Sequence, residues 1–149
     1  MNRILFSAEE VDPPLWLDEA EAFTHRILDS LGLDNWELSI LFCNNKYIKT
    51  LNAKYRNNDE PTDVLSFPLG EKIPGRDGPY LAGDLVISLD ALEENSRFFK
   101  VPSREELCRL LIHGILHLSG EDHLTNEEGE PMLKTQEKLL AQFNKEKAF

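Results

Sequence analysis

The stretch His113-Gly-Ile-Leu-His-Leu-Ser-Gly-Glu-Asp-His123 holds three of the four histidines in the chain. His113 and His117 are four positions apart. On a helix that spacing sets them about 40° apart around the axis and about 6 Å apart along it, so both imidazoles can reach one ion. Gly120 can take positive φ, end the helix and reverse the chain, which brings His123 in from a third direction. Three neutral imidazoles suit Zn2+, and three protein ligands leave a fourth tetrahedral position open, as in catalytic zinc sites. The expected ligands are therefore His113, His117 and His123, holding one zinc ion per chain.

The spacing also matches the long zinc motif of metzincin peptidases, H-E-x-x-H-x-x-G-x-x-H. One position differs: the glutamate that acts there as general base is Gly114 here. A glycine takes no proton from water, so the metal geometry suggests hydrolysis while the usual peptidase base is missing. Asp122 lies close by and can orient a ligand from behind or act as a base. Two other functions stay open on spacing alone. One is a zinc-dependent hydrolase of a peptide or amide bond. The other is a binding module with structural zinc, although structural sites are usually four-ligand and cysteine-rich. Cys43 and Cys108 form no C-x-x-C pair and read as free, partly buried thiols of a reducing compartment.

The elements around the histidines follow from periodicity. Leu107, Leu110, Leu111, Ile112, Ile115, Leu116 and Leu118 surround the two helical histidines, which predicts a buried helix near 104–118. Ser103-x-x-Glu106, Asp90-x-x-Glu93 and Thr125-x-x-Glu128 read as capping boxes. Residues 3–7, 36–42, 63–67 and 85–89 read as strands, the last apolar on both faces and hence central. Residues 68–80, rich in glycine and proline, read as a loop. Pro13 and Pro14 mark the start of a helix carrying Trp16, Ala20, Phe23, Ile27 and Leu31, closed by Gly32. His25 falls off that stripe and reads as an exposed helix residue. Asn44 or Asn45 caps a helix with Ile48, Leu51 and Tyr55 inward. Met132, Gln136, Leu139 and Phe143 form an amphipathic C-terminal helix, with Pro131 requiring a kink or a start near 130.

At 149 residues, with 41% hydrophobic and 29% charged side chains, the chain is expected to form a single domain over 1–149. No secretory leader or long apolar run is evident, so a cytoplasmic protein with no membrane role is expected. The net charge of −11 argues against broad nonspecific binding to nucleic acid. Residues 46–56 are the exception: Lys46, Lys49, Lys54 and Arg56 occur there with no acid. Such a segment is either a local phosphate-binding surface or a solvated helix face.

The histidine stretch resembles the H-G-x-L-H-L-x-G-x-D-H signature of the bacterial YbeY family of zinc-dependent endoribonucleases. Leu51-Asn-Ala-Lys-Tyr-Arg56 with Pro61-Thr-Asp-Val-Leu-Ser-Phe-Pro68 is similar to that family's N-x-x-[FY]-R…P-T-[DN]-V-L-S-F segment. Gly83-Asp-Leu-Val-Ile-Ser88 is similar to its G-D-[IL]-V-I-[SC] strand. The resemblance covers about residues 36–143. It implies an α+β fold, a small mixed β-sheet with surrounding helices and the zinc helix at the centre. It implies an endoribonuclease that cuts single-stranded RNA, acting in maturation of the 3′ end of 16S ribosomal RNA and in ribosome quality control. The implied partners are ribosomal RNA and the small ribosomal subunit or its assembly factors. His113, His117 and His123 would be the zinc ligands, and Arg56, the functional arginine, would be catalytic together with His113. The residue chemistry agrees: a guanidinium grips phosphate with two donors, and Lys46, Lys49 and Lys54 can guide an RNA backbone.

Overall fold

The structure, a computed structural model, describes residues 1–72, 79–122, 127 and 129–145. Four strands and five helices occur in the order β1 (Arg3–Ala8), α1 (Leu17–Ser30), β2 (Trp36–Cys43), α2 (Asn45–Arg56), β3 (Val64–Lys72), β4 (Tyr80–Ser88), α3 (Leu89–Phe99), α4 (Ser103–Leu118) and α5 (Pro131–Lys145). The fold is α+β, as expected. The sheet order is β1-β2-β4-β3, with β1, β2 and β4 parallel and β3 antiparallel to β4.

Alternation along β2 and β4 divides the sheet into two faces. Leu38, Ile40, Phe42, Leu85 and Ile87 point to one side and are fully buried beneath α1, α4 and α5. Leu41, Val86 and Phe67 point to the other, where α2 contributes Ile48 and Leu51 to a smaller cluster. β4 is interior and β3 is an edge strand, so the chain after β4 can send α4 across the sheet and along the inner side of β3.

Several local expectations are corrected. The first helix begins at Leu17, beyond Pro13 and Pro14, with Trp16 at the cap. β3 does not stop at Phe67. It continues through Pro68 and Gly70 to Lys72, with a register shift between Pro68 and Glu71 that takes up Leu69 and Gly70. That irregularity is packed on Gly83, whose φ is +133° and where a Cβ would stand 2.2 Å from the Phe67 carbonyl oxygen. Tyr55 is 53% exposed and does not face inward. Two capping boxes do not form. Ser88 caps α3, accepting from the Ala91 N–H at 3.2 Å, and Asp90 instead accepts from the Asn45 N–H at 2.9 Å. α4 is preceded by extended Pro102, so Ser103 is already helical and its hydroxyl donates to Glu93. In each case a tertiary partner outcompetes the local reciprocal bond. Thr125 and Glu128 of the third box lie outside the described residues. α5 begins at Pro131, a position where proline's missing N–H is harmless. Asn44 caps α2 by accepting from the Tyr47 N–H.

Candidate metal centre

From Glu105 to Leu118, α4 is buried along its length except on one line, formed by Arg109, His113 and His117. These are i, i+4 and i+8, a single stripe of the helix. The two histidine rings meet edge to face at 4.7 Å, and their Nε2 atoms stand 3.2 Å apart. Two ligands of a tetrahedral ion with bonds of about 2.0–2.1 Å stand about 3.3 Å apart, so this pair fits such an ion. His113 is held from behind: its Nδ1 lies 2.7 Å from Oε1 of Gln136 on α5. His117 Nδ1 lies 3.8 Å from Oδ1 of the exposed Asp122.

The helix ends as its sequence predicts. Gly120 takes φ +102°, its N–H donates to the His117 carbonyl at 3.0 Å, and the Glu121 N–H donates to the Leu116 carbonyl at 3.0 Å. This is the Schellman pair of bonds, and it directs Glu121 and Asp122 back over the histidines. His123 lies outside the described residues. Among the described residues no group of three metal-ligating side chains is assembled.

Gly114 has a second role beyond lacking a base. It packs directly on β4, and a Cβ there would stand 2.6 Å from Cδ2 of Leu85, which is fully buried. Any side chain at 114 would start against the core of the sheet. The absence of a glutamate is thus a packing requirement that lets α4 lie close to β3 and β4, where Ser66 Oγ donates to the Gly114 carbonyl at 3.4 Å.

A cleft of about 550 Å3 opens between the C-terminal half of α4 and the outer part of β3. His113, His117, Gly120, Glu121 and Asp122 line one wall, and Val64, Leu65, Ser66, Pro68 and Arg56 the other. Arg56 is the last residue of α2, a helix on the opposite face of the sheet. It reaches around the β3 edge, donating from Nη2 to the Ser66 carbonyl and lying 5.1 Å over the Phe67 ring. The turn that delivers it is pinned by buried Asn52, whose Nδ2 donates to the Glu60 carbonyl at 2.8 Å.

Sequence reasoning thus named residues that the fold brings together, Arg56 with His113, His117 and Asp122. The fold does not bring in the lysines that sequence reasoning also named. Lys46, Lys49 and Lys54 are exposed on α2 and do not line the cleft; Lys54 Nζ instead lies 5.1 Å from the Tyr55 ring. Sequence reasoning missed Gln136 and Asn52 as site residues. The available signal was the same for both: an amide on the buried stripe of an amphipathic helix, where a polar group must find a partner. His25 lies beside Glu21 at 3.8 Å on the side of α1, away from the cleft. Cys43 and Cys108 are free and buried, with thiols that burial pushes up to about 12.

Comparison with known proteins agrees with this geometry. The family model described as Endoribonuclease YbeY matches residues 6–144. A Treponema pallidum protein named Endoribonuclease YbeY is 45% identical over 144 residues, covering 95% of this chain and 90% of its own. One of the same name from Treponema denticola is 47% identical over 136 residues, covering 89% of this chain and 88% of its own. The solution structure of TM1509 from Thermotoga maritima superimposes with a TM-score of 0.63 at 28% identity, covering 99% of this chain and 93% of that one.

Proposed function

The chain belongs to the Endoribonuclease YbeY family, and on that premise we propose that it is a zinc-dependent endoribonuclease cutting single-stranded RNA. Its work would be maturation of the 16S ribosomal RNA 3′ end and ribosome quality control in the cytoplasm, as a single domain over 1–149. The observation that carries the reading is one cleft containing both a converging imidazole pair and Arg56. His113, His117 and His123 would hold the ion, one per chain. Bound zinc supplies Lewis-acid charge and makes water acidic enough to ionise near neutral pH.

The chain's own residues supply the rest. Arg56 has one nitrogen engaged by the Ser66 carbonyl and its plane supported by Phe67, so its direction is set before a ligand arrives. Its other donors can take a phosphate oxygen as charge grows on it during cleavage. Asp122, beside His117 Nδ1, would steady that imidazole. Phosphoryl transfer depends largely on positioning and charge stabilisation, so a site with glycine at 114 suits RNA better than a peptide bond. Lys46, Lys49 and Lys54, outside the cleft, would act only by drawing the RNA backbone towards it. With a net charge of −11, the protein would receive its substrate on the small ribosomal subunit or from an assembly factor.

The test combines metal analysis with RNA cleavage for wild type and His113→Ala. Wild type should carry one zinc per chain and cut single-stranded but not duplex RNA. His113→Ala should lose both the metal and the cleavage, and cells carrying it should accumulate 16S precursor with an unprocessed 3′ end. Zinc-loaded wild type that leaves every single-stranded RNA intact would sink the reading.

A further inference from the structure

The line Arg109–His113–His117 on α4 is faced by two consecutive residues of α5, Gln136 and Glu137. Gln136 takes a core position between Met132 and Leu140 and is itself buried. Its amide has an oxygen end and a nitrogen end, and its neighbours decide which faces where. The Glu137 carboxylate receives two bonds from Arg109, from Nε at 3.1 Å and from Nη2 at 3.2 Å. A carboxylate so held only accepts. The Gln136 atom 2.9 Å from Glu137 Oε2 must therefore be the donor, Nε2. That turns Oε1 towards His113 Nδ1, at 2.7 Å. A carbonyl oxygen cannot donate, so the hydrogen of a neutral His113 is on Nδ1 and its lone pair is on Nε2, the atom facing His117.

We propose that Gln136 is a positioning residue for the metal centre, and that the Arg109–Glu137 pair fixes its amide so that His113 is kept in the tautomer able to bind a metal. The arrangement has a foundation. Arg109 Nη1 donates to Glu106 Oε1 at 2.7 Å, and Glu106 is buried. Asn95 Nδ2 donates to Glu106 Oε2 at 3.0 Å and to Asp63 Oδ2 at 3.1 Å, just ahead of β3. Hydrogen bonds thus run from His113 by way of α5, Arg109 and the buried Glu106 to the residue before the strand whose Ser66 carbonyl holds Arg56. Arg109 itself is immobilised from both sides, so neither Glu137 nor Gln136 is free to turn.

The inference rests on the metal reading but is tested apart from it. Gln136→Met keeps the volume and removes the acceptor, and Gln136→Glu keeps the acceptor. Glu137→Gln lets position 137 donate as well as accept, so the amide at 136 loses its fixed sense. Two quantities are measured: the zinc Kd by competition with a chelating dye, and the imidazole 15N shifts of His113 in the metal-free protein. Gln136→Met should weaken zinc binding about 10–100-fold and leave His113 a mixture of tautomers. Gln136→Glu should keep the His113 hydrogen on Nδ1, because the acceptor remains, while giving up the bond to Glu137. Glu137→Gln should fall between wild type and Gln136→Met, and since Glu137 is half-exposed it serves if Gln136→Met does not fold. A merely structural glutamine would lower the Tm of the metal-free protein and leave zinc affinity and tautomer unmoved. Unchanged zinc affinity in Gln136→Met, or in Glu137→Gln if that variant stands in, overturns the proposal. So does a wild-type His113 carrying its hydrogen on Nε2. Wild type that takes up no zinc would instead remove the metal reading, and the 15N shifts would still decide the arrangement at Gln136.

Discussion

The two walls of the cleft handle charge in opposite ways. Behind the α4 wall, where α4 packs on α5, Arg109 lies between Glu106 and Glu137, and Glu106 also accepts from Asn95. Burial pushes the Glu106 carboxyl above its ordinary range, and the bonds from Arg109 and Asn95 act against that. There one cation is held between two carboxylates, and the product is orientation. On the β3 wall, Arg56 is exposed, with a carbonyl oxygen and an aromatic ring as its neighbours and no carboxylate paired with it among the described residues. Its charge is not neutralised, so it is available to an anion. One side sets the direction of the His113 imidazole, and the other offers a cation.

Breaking the second wall should have the largest effect. Arg56→Ala should lower RNA cleavage by about 10²–10³-fold with zinc content unchanged, the loss typical of removing one donor from a developing anion. Arg56→Lys should recover only part, because an ammonium cannot donate to Ser66 and a phosphate in one fixed plane. Loss of zinc in Arg56→Ala would mean that the walls are not separate in function. Gly114→Ala probes the packing beneath the first wall. The new Cβ meets Leu85, and denaturant unfolding should show a loss of about 1–3 kcal/mol. Leu85→Ala in the same chain should return part of it, and additive losses would count against the contact.

The smallest expected effect lies far from the cleft. Cys43 and Cys108 are held at about 12, against 9.0 for an exposed thiol. At pH 8 only about one such thiol in 10⁴ is ionised, so native protein should resist alkylation and unfolded protein should react fully. The sign for stability follows. Between about 9 and 12 the unfolded thiols release protons that the folded ones keep, so stability should fall as pH rises through that window. Rapid native labelling at pH 8 would contradict this.

Much of the site was legible in sequence because its spacing is local. A four-residue interval fixes the relation of His113 to His117 on any helix, and a glycine three residues after His117 marks where such a helix turns. The apolar stripes of α4 and α5 and the alternation in β2 were legible for the same reason: side-chain direction repeats with backbone period. What was not legible depends on partners far along the chain. Asp90 and Glu106 looked like cap residues until Asn45, Asn95 and Arg109 were brought beside them. Pro68 and Gly70 looked like loop residues, yet β4 pairs with the strand across a register shift.

The sequence by itself determined that two imidazoles would share one helix face, that the helix would be buried, and that its end would turn at Gly120. Only the tertiary structure decided the rest. It placed Arg56 around the β3 edge into the same cleft, explained Gly114 by Leu85, and set Gln136 against His113 from 23 positions away. The physical reason is that helical period is a property of neighbouring residues. Which nitrogen of an imidazole faces a metal is decided by whatever hydrogen-bonds to the other one.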